Sequence, residues 1–147
     1  LAKKIRRLKA NTVKEEKEEY KASGGFQKLW IWQKSFNLMK EIHDICKKLP
    51  VEEKYKIKDQ IERSSASVCD NIAEGHGTYY YSDKMKSLRV ARKEAGETQN
   101  HILKMSVKSY LDEKDAKNMV DQYEEVIRGI NGYINYLRSK KMHVKRQ

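Results

Sequence analysis

The amino-acid sequence predicts an all-α fold, an antiparallel up-down-up-down four-helix bundle carrying a basic N-terminal extension. Three observations lead there. The 147 residues include one Pro and seven Gly and are 36% charged, a composition that favours long helices over strands. Four stretches repeat apolar residues at intervals of three and four. The connections between those stretches are short, so successive helices should lie antiparallel as neighbours.

The chain divides into a basic arm with a Gly linker (residues 1–25), the bundle (26–141) and a basic tail (142–147). In the arm, Leu1, Ile5 and Leu8 fall at helical spacing ahead of Glu15-Glu16-Lys17-Glu18-Glu19, but three apolar residues cannot hold an isolated helix in water. Ala22-Ser23-Gly24-Gly25 is a flexible joint. The first bundle helix is expected over 31–49, with Trp32, Ser35, Phe36, Met39, Ile42, Cys46 and Leu49 on its apolar arc and Pro50 ending it. The second runs from Glu53 to Glu74. It places Ile57, Ile61, Ser64, Ser65, Val68 and Ile72 on one narrow face, half aliphatic and half hydroxyl. Gly75 is expected to stop it in the left-handed conformation. Ser82 should cap the third helix, whose core stripe is Leu88, Ala91, Ala95, Thr98, Ile102 and Ser106, and Asp112 the fourth. That last helix repeats Ala116, Val120, Tyr123, Ile127, Ile130, Ile134 and Leu137, a heptad seam. Trp30, Tyr133 and Tyr136 fall beside the apolar stripes and are candidates for an interface between subunits.

The net charge is +11, and it is uneven. Residues 1–25 carry eight basic and four acidic side chains, residues 138–147 five basic and none acidic, and 26–137 are close to balance. Cationic tails of this kind grip polyphosphate backbones. No stretch reaches the ~18 apolar residues of a membrane span. The basic start has no apolar region behind it, so it does not read as a secretory signal. Leu1 in place of Met suggests a fragment or processed form. Cys46 and Cys69 read as isolated reduced thiols, which with the missing signal gives cytoplasmic residence as the expectation. His43, His76, His101 and His143 lack ligand spacing, so no metal and no cofactor is expected.

Catalysis finds weak support. Ser64, Ser65 and Ser67 precede Glu74 and His76 on one helix, which invites a nucleophile-and-base reading. Hydroxyls in the middle of a bundle helix, however, usually bond back to the preceding turn, and nothing supplies a strand-to-helix elbow or oxyanion hole. Arg63, Asn71, Glu74 and Gly75 read as a structural set: an Arg–carboxylate pair and an Asn bond that fix how helices meet, with direct ligand binding as the alternative. Tyr79-Tyr80-Tyr81, followed by Lys84, Lys86, Arg89, Arg92 and Lys93, offers stacking surfaces beside cations, an arrangement suited to single-stranded nucleic acid.

The run from Gln60 to Gly75, ending Asn71-Ile72-Ala73-Glu74-Gly75, resembles the signature of four-helix-bundle proteins encoded in intervening sequences of bacterial 23S ribosomal RNA genes. The likeness extends over about residues 26–141. It includes Phe26-x-x-Leu29-x-Ile31-Trp32-Gln33-Lys34, Leu49-Pro50, Tyr55-x-Ile57, Ser87-Leu88-Arg89-Val90-Ala91 and Glu97. Lys56 departs from the family's usual Gly, and Lys93-Glu94 from a small Gly-Ser pair, placing charge where that family packs closely. The resemblance implies a bundle that assembles as a ring, a pentamer, without known enzymatic activity. A related group serves as accessory proteins of reverse transcriptases in diversity-generating retroelements.

Together these readings predict a non-enzymatic, ring-forming homo-oligomer that binds RNA or DNA, with a reverse transcriptase as a further partner. The binding residues would be Lys3, Lys4, Arg6, Arg7 and Lys9 in the arm, and Tyr79, Tyr80, Tyr81, Lys86, Arg89, Arg92 and Lys93 in the second connection and third helix. Arg138, Lys140, Lys141, Lys145 and Arg146 would complete them in the tail. The alternatives are a protein–protein adaptor whose charge is incidental, and more distantly a small hydrolase using Ser65 or Ser67.

Overall fold

The computed structural model describes Ala2 and residues 25–145. After a 3-10 turn over Phe26–Lys28 come α1 (Trp30–Cys46), a second 3-10 turn (Val51–Glu53), α2 (Ile57–Gly77), α3 (Tyr81–Val107) and α4 (Glu113–Lys145). There is no strand among the described residues. Side-chain pairs fix the antiparallel order: His43 with Glu62 joins α1 to α2, Ser64 with Thr98 joins α2 to α3, and Arg92 with Asn131 joins α3 to α4. Lys34 with Glu125 closes the circuit from α1 to α4. The four-helix bundle expected from the periodicity is the fold. No helix among the described residues is long and apolar enough to cross a membrane.

The core follows the expected stripes in α2 and most of α3, and differs elsewhere for identifiable reasons. In α1 the buried residues are Ile31, Ser35, Leu38, Ile42 and Cys46. The face is thus rotated from the expected arc, because Trp32 and Phe36 stack at 4.7 Å and Trp32 meets Phe26 edge-on at 5.1 Å. These rings form a ridge along the edge of the core. In α4, Met119, Val126 and Tyr133 are buried alongside the seam, and Val120 and Ile127 are half-buried. Helix α2 starts at Ile57, four residues later than expected, since residues 51–56 are taken up by the 3-10 turn and a further turn. Helix α3 starts at Tyr81 with Tyr80 as its N-cap and no side-chain cap bond, which corrects the expected Ser82 cap.

Gly75 does not terminate α2. The helix continues through it to Gly77, and no glycine among the described residues has positive φ. Its role is close approach. A Cβ at 75 would lie 3.2 Å from the Lys84 carbonyl oxygen and 3.3 Å from the Ser87 Cβ, so a side chain there would push α3 away. The α2–α3 contact is therefore close at this point. Lys84 then folds back over the helix end, and its Nζ donates to the carbonyls of His76 at 2.8 Å and Gly75 at 3.4 Å. A cation at a helix C-terminus meets both the unsatisfied carbonyls and the negative end of the dipole.

Candidate nucleic-acid interface

The antiparallel order brings the α2–α3 connection, the first turns of α3 and the last turns of α4 to one end of the bundle. The half built from residues 26–38, 68–92 and 129–145 carries ten basic and three acidic side chains. The opposite half, 39–67 and 93–128, carries thirteen basic and fourteen acidic. Near neutrality of the folded body in sequence thus conceals a polarised body in space.

At the basic end Tyr79 is 87% and Tyr80 66% exposed, with their rings 5.1 Å apart and nearly perpendicular. Two unburied rings in a three-residue connection present π-faces to solvent. Tyr81 is not a third. It opens α3, is half-buried, and packs against the core. Lys86 and Arg89 are exposed on the outer face of α3, and Lys93, also exposed, falls just beyond them in the opposite half. Arg92 is exposed too, but its guanidinium donates to Asn131 Oδ1 at 2.8 Å, holding it between α3 and α4. Arg138 is exposed, and Lys140 and Lys141 are half-buried, with the Lys140 ammonium 5.6 Å from the Tyr136 ring centre. Lys84, counted with these cations in the sequence, is only 9% exposed and committed to the end of α2. Burial pulls its ammonium below the ordinary lysine range. Lys3, Lys4, Arg6, Arg7, Lys9 and Arg146, and the side chain of Lys145, lie outside the described residues.

The candidates for a subunit interface separate. Tyr133 is 2% exposed within a single chain and belongs to its core, which removes it from the interface set. Trp30 and Tyr136 are half-buried. The Trp30 indole lies directly over Gly129, where a Cβ would collide with it.

The polar set of α2 is structural in part. Arg63 pairs with Glu97 at 2.6 Å and approaches Glu94 at 3.8 Å, so the Arg–carboxylate pair joins α2 to α3. Glu94, 8% exposed, sits where the resembled family has a small residue. Burial, then the neighbouring Glu97 charge, raises its carboxyl above the ordinary range. Asn71 bonds backward to the Ser67 carbonyl and hydroxyl at 2.9 and 3.0 Å, inside its own helix rather than as a cap. Glu74 is exposed and forms no side-chain ion pair among the described residues. Ser64 and Ser65 are fully buried and donate to the carbonyls of Ile61 and Glu62, and Ser67 is half-buried beside Asn71.

At the opposite end Glu53 is buried to 6% exposure, a role the sequence did not signal. Its Oε1 accepts from Lys108 Nζ at 2.8 Å and Tyr110 Oη at 3.1 Å. The Lys108 hydrogen bond is the main reason its carboxyl lies below the ordinary range. Only the neighbouring pair of helix ends explains why an exposed-looking Glu in a Val-Glu-Glu-Lys run is needed there.

Comparison with solved structures finds a Bacteroides thetaiotaomicron protein of unknown function from the S23 ribosomal protein family. It superposes with a TM-score of 0.66 at 24% identity, covering 71% of this chain and 95% of that one. At that identity the likeness establishes the fold alone. No curated protein matches the chain. The family model for the 23S rRNA-intervening sequence protein matches residues 27–132, nearly the whole of the described bundle from the first 3-10 turn to the middle of α4. The chain therefore belongs to the 23S rRNA-intervening sequence protein family.

Proposed function

We propose that the protein is a non-enzymatic nucleic-acid-binding bundle that engages single-stranded or structured RNA or DNA at its basic end. The observation that carries this reading is the segregation of charge: ten basic against three acidic side chains gather in the half that also exposes Tyr79 and Tyr80. Lys86, Arg89 and Arg138 neutralise phosphates, and the two rings stack unpaired bases. Assembly into a ring of identical subunits, a pentamer by family resemblance, would repeat this end around the symmetry axis and multiply weak contacts. The half-buried Trp30 and Tyr136 are the edges such assembly would cover. Service beside a reverse transcriptase is the finer form of the same proposal.

Filter binding to several single-stranded and hairpin RNAs at low and physiological salt tests it. Affinity should fall with salt by about 0.7–0.9 log units per tenfold salt for each phosphate neutralised. No salt-sensitive binding to any of them would make an adaptor role the better reading. Sedimentation equilibrium at tens of micromolar tests assembly independently, and a monomer there ends the ring proposal.

A further inference from the structure

The end of the bundle opposite the basic one holds a cleft of about 680 Å³ between the C-terminus of α1 and the start of α4. Ile45, Leu49, Leu111 and Met119 make the apolar part of its floor, beside Ser109, Tyr110 and Asn118. Glu41, Asp44, Asp112 and Asp115 stand exposed on its rim, against Lys48 and against Lys47, whose ammonium lies 3.6 Å from the Asp44 carboxylate. The carbonyl end of α1 adds its negative dipole on the same side, while the positive end of α4 is offset by its own Asp112, Glu113 and Asp115. The cleft therefore suits a segment that is both apolar and cationic.

The chain carries such a segment. Residues 1–9, Leu-Ala-Lys-Lys-Ile-Arg-Arg-Leu-Lys, hold five cations and set Leu1, Ile5 and Leu8 on one face at helical spacing. That stripe is too short to sustain a helix alone in water, and a complementary surface removes the difficulty. The tether is long enough. Fifteen residues, 10–24, extend to about 50 Å, whereas the route from Gly25 to the cleft follows α1, 17 residues and about 26 Å. We infer that the cleft is the docking site of the chain's own residues 1–9, which lay Leu1, Ile5 and Leu8 on its floor and their cations against its acidic rim. Docking there neutralises the arm, so the arm and the basic end then no longer act as one cationic surface.

The test is paramagnetic broadening in the full chain. A nitroxide on Ala2→Cys reports where the arm rests. Burial pushes the Cys46 and Cys69 thiols up to about 12, which keeps them unreactive toward the label. The methyl signals of Leu49, Leu111 and Met119 should lose at least half their intensity, while those of Thr78 and Met85, at the basic end about 33 Å of helix away from Val107, keep theirs. Glu41→Lys with Asp115→Lys should restore the lost intensity. So should Ile5→Ser with Leu8→Ser, which leaves the bundle untouched. Equal broadening at Thr78 and Met85, or broadening near the cleft that survives both pairs of changes, overturns the assignment.

Discussion

The two ends of the bundle solve the same problem, joining antiparallel helices, with different chemistry. At the basic end α2 and α3 are linked by Thr78–Tyr80 and brought together by Gly75, with Lys84 satisfying the helix carbonyls. Small residues and one buried lysine join α2 to α3, so among the exposed cations and rings described there only Arg92, bonded to Asn131 of α4, also ties helices together. At the opposite end a longer connection leaves room for a cleft, and a buried carboxylate, Glu53, ties α3's last turn to the 3-10 turn before α2. The first end is closed by packing and the second by a polar network. Apart from Arg92, surface chemistry can vary at the basic end without disturbing the fold, whereas at the other end part of the charge is structural.

Changes in the core between the ends should have the largest effect on stability. Ile130→Ala, fully buried, should cost about 2–5 kcal/mol in urea unfolding. Ile127→Ala should cost less, since Ile127 is half-buried at the edge of the seam. Equal losses would mean that the two residues share the same degree of burial in solution.

Next comes the packing at the basic end. Gly75→Val should destabilise by about 1–3 kcal/mol, because its side chain would meet the Lys84 carbonyl and Leu88. Gly129→Val should cost more, since its Cβ alone would collide with the Trp30 ring and lie 2.5 Å from the Ile31 Cγ2. Thermal unfolding followed by circular dichroism measures both, and a neutral Gly75→Val would show that α2 and α3 can separate there.

The functional contrast between ends is sharper than the structural one. Replacing Arg89, Arg138 and Lys140 by Ala should weaken RNA binding at least tenfold, about 1.4 kcal/mol, and flatten the salt slope. Replacing Lys54, Lys58 and Lys117, an equal charge from the other half, should change it less than about threefold, roughly 0.65 kcal/mol on the same scale. Comparable losses in the two triple variants would point to net charge rather than its placement.

The two buried carboxylates should respond to pH in opposite directions. Glu53 sits below its unfolded pKa, so its stabilisation is present above the unfolded value and fades as pH falls through the folded one. Glu94 sits above, so the folded state holds its proton more tightly, and stability from this group is lost as pH rises through the folded pKa. Glu53→Gln should lower Tm at pH 7 and flatten the acid side of the profile. Glu94→Gln should raise Tm at pH 7, with the gain disappearing near pH 4. The smallest effects are expected on the outer face of α3. Lys104→Ala should shift stability by less than ~0.5 kcal/mol. Gly96→Ala should gain about 0.5–1 kcal/mol, since nothing lies within 4 Å of a Cβ there.

These contrasts also mark what was legible in the sequence. Ile57, Ile61, Ser64, Ser65, Val68 and Ile72 of α2 were readable as a core face because a single helix sets their periodicity. Most of the heptad of α4 was readable for the same reason, with Val120 and Ile127 displaced to the edge by Met119 and Val126. Gly75 was misread as a terminator, since a helix-ending glycine and a close-approach glycine differ only in what lies across from them. Lys84 and Glu53 look like solvated charges until the neighbouring helix end supplies their partners. Tyr133 passed for an interface residue because the width of a buried face depends on how many helices surround it. In α1 the rotated face depended on rings contributed by the preceding 3-10 turn. Of the candidate interface, the composition was legible and the clustering was not, because it exists only when 68–92 and 129–145 are folded against each other.

The separation of charge has a further consequence for how the protein meets a polyanion. A body with its net positive charge at one end feels a torque in the field of a phosphate chain, so it arrives already turned basic end first, and productive encounters become a larger share of all collisions. Helix α3, with 27 residues, is about 40 Å long, several times the Debye length of roughly 8 Å at physiological salt. In dilute buffer the molecule approaches as one dipole. In the ionic strength of a cell it behaves as two electrically independent surfaces, which lets one chain present a cationic contact and a nearly neutral one at the same time.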